Sequence, residues 1–230
     1  NTWIHQSETE RKQAIYTRDA WAKRTKSAMG HFSSNSNYAH LFLNGMYWGL
    51  YNPNERINDE YLAQDIGGKS EDWDVIKQDE TGSGVSASDG NVTAWKKLLS
   101  LSDTIKENPR DSVTYRLITG KNFDGSDDLS VQALLDVDDF IDYMLMNFYG
   151  ANSDWDHHNW IAVRNRVNPE SGFKMMCWDS EHIIKTLGSN NISLTNKSCP
   201  TYIYQNLKNN PLFKRRIADR VQRLCFNGGA

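Results

Sequence analysis

The densest group of chemically capable side chains is the run Asn152-Ser153-Asp154-Trp155-Asp156-His157-His158-Asn159, and a second acid-bearing stretch, Trp178-Asp179-Ser180-Glu181-His182, follows it. Asp154 and Asn159 stand five positions apart. That spacing suits phosphoryl transfer, in which one carboxylate accepts the proton of an attacking hydroxyl while an amide oxygen and a further carboxylate hold Mg²⁺. Mg²⁺ takes hard oxygen ligands and is usually held by one or two carboxylates plus substrate phosphates. The pattern therefore assigns Asp154 as base and Asn159 and Asp179 as metal ligands. An Asp and an Asn five apart are a weak signal alone. Their weight comes from the order of elements around them, a helix, a loop, a hairpin and then an acid.

Other readings of the same residues stay open. Asp156, His158, Glu181 and His182 could support the site from behind, or be loop residues held by hydrogen bonds. Asp154, Asp156, His157, His158 and His182 could instead surround a transition metal in a hydrolase. Trp48, Trp155, Trp160 and Trp178 could line a nucleotide or sugar site, although core packing explains most tryptophans. The acids Asp136, Asp138, Asp139 and Asp142 crowd a helix N-terminus, where the macrodipole favours them, and receive no chemistry here.

Several elements must position these residues. Trp21, Ala22, Thr25, Ala28 and Met29 recur at helical spacing over 17–29, with Thr17 or Asp19 as N-cap and Gly30 as a stop. Two aromatic-rich runs, 38–43 and 46–51, flank Asn44-Gly45 and predict a hairpin with a type I′ turn. A short helix is expected near 59–64, a longer one over 92–107 and another over 112–117. Residues 67–92 are rich in Gly, Ser and Asp and read as an ordered surface excursion, despite Trp73, Val75 and Ile76. The segment 136–149 predicts a helix whose apolar second half belongs in the core. Residues 159–164 and 173–178 predict a second hairpin with its turn at 168–172, and 200–226 carries two helices, the second opened by Pro211.

The balance of 26 Lys+Arg against 29 Asp+Glu leaves a net charge of −3, so no general attraction to nucleic acid or an anionic membrane is expected. No stretch approaches the ~18 apolar residues of a membrane-spanning helix. Three cysteines, Cys177, Cys199 and Cys225, cannot form a disulfide framework, though a Cys199–Cys225 bridge is conceivable. The chain opens on Asn1 and reads as a piece of something longer.

Three motifs carry a family likeness. Leu43-Asn-Gly-Met-Tyr-Trp-Gly-Leu-Tyr-Asn52 with Glu55-Arg56-Ile57, Ser153-Asp-Trp-Asp-His-His-Asn-Trp160, and Met175-Met-Cys-Trp-Asp-Ser-Glu-His182 resemble the signatures of the CotH kinase family; Trp73-Asp-Val-Ile-Lys77 and Asn227-Gly-Gly-Ala230 extend the likeness over most of the chain. The resemblance implies an α+β, atypical protein-kinase-like fold. Its incomplete N-lobe, a helix plus the first hairpin, would occupy 1–56. Its mainly helical C-lobe would occupy 57–230, with the insertion at 67–92 and a hairpin at the active site.

It also implies an enzyme that uses ATP and Mg²⁺ to phosphorylate a protein substrate, and a secreted or cell-surface location. Asn52, Glu55 and Arg56 would form the hinge at the adenine, Glu55 mainly through its backbone. The phosphate-contacting strands would lie before Asn1, and no Gly-rich loop is present, so this piece alone is expected to bind ATP poorly. Arg18 and Asp19 could position a missing phosphate-binding residue. A non-catalytic adhesion or glycan-binding module on the same scaffold is the competing reading.

Overall fold

The computed structural model describes residues 8, 14–79, 81, 82, 84–122, 124–168, 172–226, 228 and 229. It is an α+β chain of seven helices and two antiparallel sheets among those residues. In chain order come α1 (Arg18–Ala28), β1 (Ala39–Leu43), β2 (Met46–Tyr51), α2 (Asp59–Asp65), β3 (Trp73–Gln78), β4 (Val85–Asp89), α3 (Thr93–Glu107), α4 (Ser112–Thr119), α5 (Val137–Tyr149), β5 (Trp160–Asn165), β6 (Lys174–Cys177), α6 (Pro200–Leu207) and α7 (Pro211–Cys225). β1 pairs only with β2. The other four strands form one sheet in the order β4-β3-β5-β6.

Alternation along the central strands builds two cores. Ile76, Ala162, Met175 and Cys177 face the helices, where Trp160 stacks on Trp95 with ring centroids 5.1 Å apart. Val75, Ile161, Val163 and Met176 face the other way, onto Ile57 and Leu62 of the α2 region. Because both faces are covered, every residue of β5 is buried, as the period-2 geometry of a strand allows.

The excursion expected at 67–92 is corrected by this sheet. Trp73, Val75 and Ile76 are buried, and β3 is an inner strand between β4 and β5. A strand buried on both faces loses its polar alternation, so composition outweighed pattern in the sequence reading. One glycine there, Gly90, has a packing reason. At Gly90, φ is +71°, and a Cβ would stand 2.3 Å from Asp74 Oδ1 and 2.5 Å from the Trp73 carbonyl oxygen.

The acids at the start of α5 do more than meet the macrodipole. Asp136 caps the helix, accepting from Asp139 N at 3.2 Å. Asp139 is fully buried and accepts from Lys26 Nζ of α1 at 2.5 Å and from Met175 N of β6 at 2.5 Å. Asp142, also fully buried, receives a two-point contact from Arg220 of α7 and a 2.6 Å contact from His31 Nε2. One turn of α5 thus fastens α1, β6 and α7. Removing one partner of such a buried pair costs about 3–5 kcal/mol, because the other charge is left without compensation.

All three cysteines are thiols, with Cys177 and Cys199 buried and Cys225 exposed, so the conceivable Cys199–Cys225 bridge is not formed. No helix among the described residues is long and apolar enough to cross a membrane.

Candidate active site

The loop between α5 and β5 holds Asp154 and Asn159 at the mouth of the buried hairpin. Asn159 Nδ2 donates to Asp154 Oδ2 at 3.0 Å and to the Asp154 carbonyl oxygen at 3.0 Å. With its nitrogen committed, Asn159 has Oδ1 to offer a cation. The opposite oxygen of Asp154, Oδ1, meets His158 Nε2 at 2.7 Å. Asp154 N leans on Asn152 Oδ1 at 3.3 Å, and the buried Asn152 is itself tied to Asn147 of α5 at 3.1 Å. The base candidate is therefore oriented from the helix side.

Asp179 follows β6 directly. Asn159 and Asp179 both stand in the left-handed region, with φ of +59° and +51°. Asn and Asp tolerate that conformation best among residues with a side chain, and such outliers gather where geometry matters more than local comfort. The Asp179 carboxyl is pushed above the usual carboxylate range by burial first and then by the charges of Asp19 and Asp154. Although the residue keeps solvent access, the surrounding protein desolvates its carboxylate. A group of acids that repel one another in a partly dry site is what a divalent cation would relieve.

One of the three hinge candidates, Arg56, reaches the same place. Arg56 and Ile57 line a cleft of about 260 Å³ together with Lys77 of β3 and His158, Asn159 and Trp178. Another cleft, of about 460 Å³, lies at Ile66, Trp73, Asn165 and Lys174, away from the paired acids. Asn52 spends its amide on the Asn37 carbonyl at 2.7 Å. The Glu55 carboxylate accepts from Asn35 N at 2.5 Å and from the Tyr61 hydroxyl at 2.8 Å. Those contacts outweigh the upward pull of its slight burial and hold its carboxyl below the usual range. Both side chains fasten the segment.

The structure does not bring all the candidates together. Asp156 is fully buried and points at the start of α6, accepting from Thr201 N at 2.6 Å, Thr201 Oγ1 at 2.9 Å and Asn196 Nδ2 at 2.7 Å. Burial pushes its carboxyl above the usual range despite those bonds. Asp156, read as a possible support behind the site, is thus corrected to an anchor for the start of α6, since its buried carboxylate is taken up by Thr201 and Asn196 while Asp154 keeps partial exposure. His182 turns its imidazole to Lys185 Nζ at 3.0 Å, while its carbonyl accepts from Ser153 N at 3.3 Å and ties the two loops. The five-residue transition-metal set therefore does not assemble. Glu181 lies half-buried in the same turn.

Trp155 and Trp160 are core residues; Trp155 donates to the Tyr143 hydroxyl at 2.8 Å. Trp178 is partly exposed and lines the cleft, whereas Trp48 is exposed on the first hairpin, away from that lining.

Sequence reasoning missed the lysines of α1. Asp19 accepts from Ser180 N at 2.9 Å, next to Asp179, and pairs with Lys23 at 2.7 Å. Lys23 reaches Asn54 Oδ1 at 2.6 Å. This relay joins the Asp179 turn to the 52–56 segment through one helix. Asp19 is thus engaged with the Asp179 loop, a use the sequence reading of Arg18 and Asp19 did not foresee. The signal available was Lys26 four residues after Ala22, a charge on the apolar stripe that had to find a buried partner.

Comparison with curated proteins returned no match to this chain. The model of the family described as CotH kinase protein matches residues 9–225 of the 230, nearly the whole chain and every residue of the site just described, and the chain belongs to the CotH kinase family.

Proposed function

We propose that the chain is the phosphotransfer domain of a Mg²⁺-dependent enzyme that moves the γ-phosphoryl group of ATP to a protein hydroxyl. A kinase-like family implies ATP and a divalent metal in general terms. What supports the reading is that Asp154 and Asn159 are joined by a hydrogen bond, that the Asp179 carboxyl is raised in part by the charge of Asp154, and that Asn159 lines the cleft under Arg56 and Ile57.

The donor set fits the metal. Asp179 and the Asn159 carbonyl are hard oxygen donors of the number Mg²⁺ accepts from protein when phosphates supply the remainder. Bound there, the ion would offset the negative charge of the phosphates. Asp154, oriented by its hydrogen bonds with Asn159 and His158, would position the acceptor hydroxyl and take its proton, a contribution of about 10²–10⁴ in rate. The backbone of 52–56 would meet the adenine, with 1–56 as N-lobe remnant and hinge and the rest as C-lobe. A secreted or cell-surface location belongs to this proposal and rests on the family likeness alone.

The test is transfer from γ-labelled ATP, with Mg²⁺, to the protein itself and to a generic acceptor such as casein, using the chain and a longer form carrying upstream strands. Asp154→Asn and Asp179→Asn should each lower transfer by about 10² or more. Transfer that survives both substitutions in the longer form rules the mechanism out. Absence of transfer by the wild type, with a folded protein, favours a binding module on this scaffold.

A further inference from the structure

The face of Asp154 turned away from Asn159 is occupied by two histidines. His158 Nε2 lies 2.7 Å and His157 Nε2 3.8 Å from Asp154 Oδ1. The two rings meet nearly edge to face, at 70° with centroids 3.9 Å apart. Among the described residues this is the one trio of His, Cys, Asp or Glu whose ligand atoms all fall within 4.8 Å of one another. Two donors about 2.0–2.2 Å from one zinc ion at the tetrahedral angle lie roughly 3.3 Å apart. The two nitrogen–oxygen distances straddle that value, so small rotations of two exposed rings would complete the set.

We propose that Asp154 Oδ1, His157 Nε2 and His158 Nε2 form a binding site for a borderline-soft divalent cation of the Zn²⁺ class, distinct from the all-oxygen pair at Asn159 and Asp179. Three features favour it. Imidazole donors select Zn²⁺, Co²⁺ or Ni²⁺ over Mg²⁺. The Asn159 amide holds the other carboxylate oxygen and so fixes the direction of Oδ1, the kind of outer support that metal ligands require. Both histidines are about half exposed, which leaves an entry path and an open coordination position. Three protein ligands with a free position describe a site that can exchange its ion. Its consequence rests on the phosphotransfer reading: a cation on Oδ1 would occupy the oxygen Asp154 needs for proton acceptance, so Zn²⁺ would inhibit where Mg²⁺ supports.

The binding claim is tested without any activity. Titration of the purified chain with Co²⁺ should give one equivalent of intense d–d absorption typical of four- or five-coordination, bleached by Zn²⁺ and unchanged by excess Mg²⁺. His157→Ala and His158→Ala should each weaken Co²⁺ binding by at least about tenfold, with thermal melts verifying that the variants fold. Asp179→Asn should leave the spectrum intact. A weak six-coordinate spectrum, or equal affinity in the wild type and both histidine variants, overturns the proposal and leaves His158 as a hydrogen-bonding neighbour of Asp154. Failure of the phosphotransfer reading would not alter these spectra, so the two ideas fail separately.

Discussion

Two hairpins of similar local design sit at opposite extremes of burial. In β1–β2, Asn44 and Gly45 take the positive φ values of the turn, +51° and +80°, and five of the six residues of β2 are exposed. In β5–β6, every residue of β5 is buried. Trp48 is 57% exposed, whereas Trp160 is 1% exposed. The difference comes from neighbours. β5 is paired on both edges and covered on both faces, whereas β1 and β2 have only each other, and a lone two-stranded ribbon is marginal in water. A platform that must hold a carboxylate and an amide in register can be built on the buried β5–β6 hairpin. The β1–β2 hairpin supplies an exposed ribbon.

The comparison can be broken most severely by truncating matched tryptophans. Trp160→Ala should cost about 3–5 kcal/mol, the price of a large core cavity. Trp48→Ala should change stability by no more than about 0.5 kcal/mol. Denaturant titration of both variants checks this; equal losses would mean that the first hairpin is packed as firmly as the second. Close behind comes Asp139, which holds β6 through Met175 N and α1 through Lys26. Asp139→Ala should cost about 3–5 kcal/mol by the same measurement, and Lys26→Met together with Asp139→Leu should recover a good part of it.

A smaller effect separates the site from its platform. Because the folded-state carboxyl of Asp179 is raised, its charged form opposes folding above that pH, and the stability it contributes is lost as pH rises through the raised value. Asp179→Asn should therefore raise the melting temperature of the metal-free protein at neutral pH, whereas Asp139→Ala lowers it. Calorimetry in a chelating buffer decides the sign. A fall with Asp179→Asn would mean the carboxylate is a structural group.

The smallest effect concerns acid. Burial works to raise the Asp142 carboxyl, but the hydrogen bonds and charges of His31 and Arg220 prevail and hold it below the usual range. Its stabilisation is present above the ordinary carboxylate pKa of about 4 and is lost as pH falls from there through the lowered value. Arg220→Leu should flatten that part of the stability profile. An unchanged acid limb would show that the pair contributes nothing to it.

How much of this was legible depended on whether a signal was local. The Asn-Gly turn, Pro211 at the start of α7 and the apolar half of α5 are local, and the elements lie where expected. The burial of Asp156 was invisible because its partners, Asn196 and Thr201, are distant in sequence, and nothing near Asp156 distinguishes it from Asp154. β3 was hidden for the opposite reason: strands covered on both faces lose the alternation that reveals strands. The pairings Lys26–Asp139 and Arg220–Asp142 join residues far apart in the chain, and only the presence of charge on an apolar stripe hinted at them.

The central claim is that Asn159 and Asp179 hold the metal of a metal-nucleotide while Asp154 stands beside it without binding it. The most direct measurement is electron paramagnetic resonance of Mn²⁺ with ATP and the protein, comparing wild type, Asn159→Ala, Asp179→Asn and Asp154→Asn. The account predicts that ATP-dependent Mn²⁺ binding is lost in Asn159→Ala and Asp179→Asn and kept in Asp154→Asn. Loss in Asp154→Asn alone, with the other two variants binding as the wild type does, would contradict it.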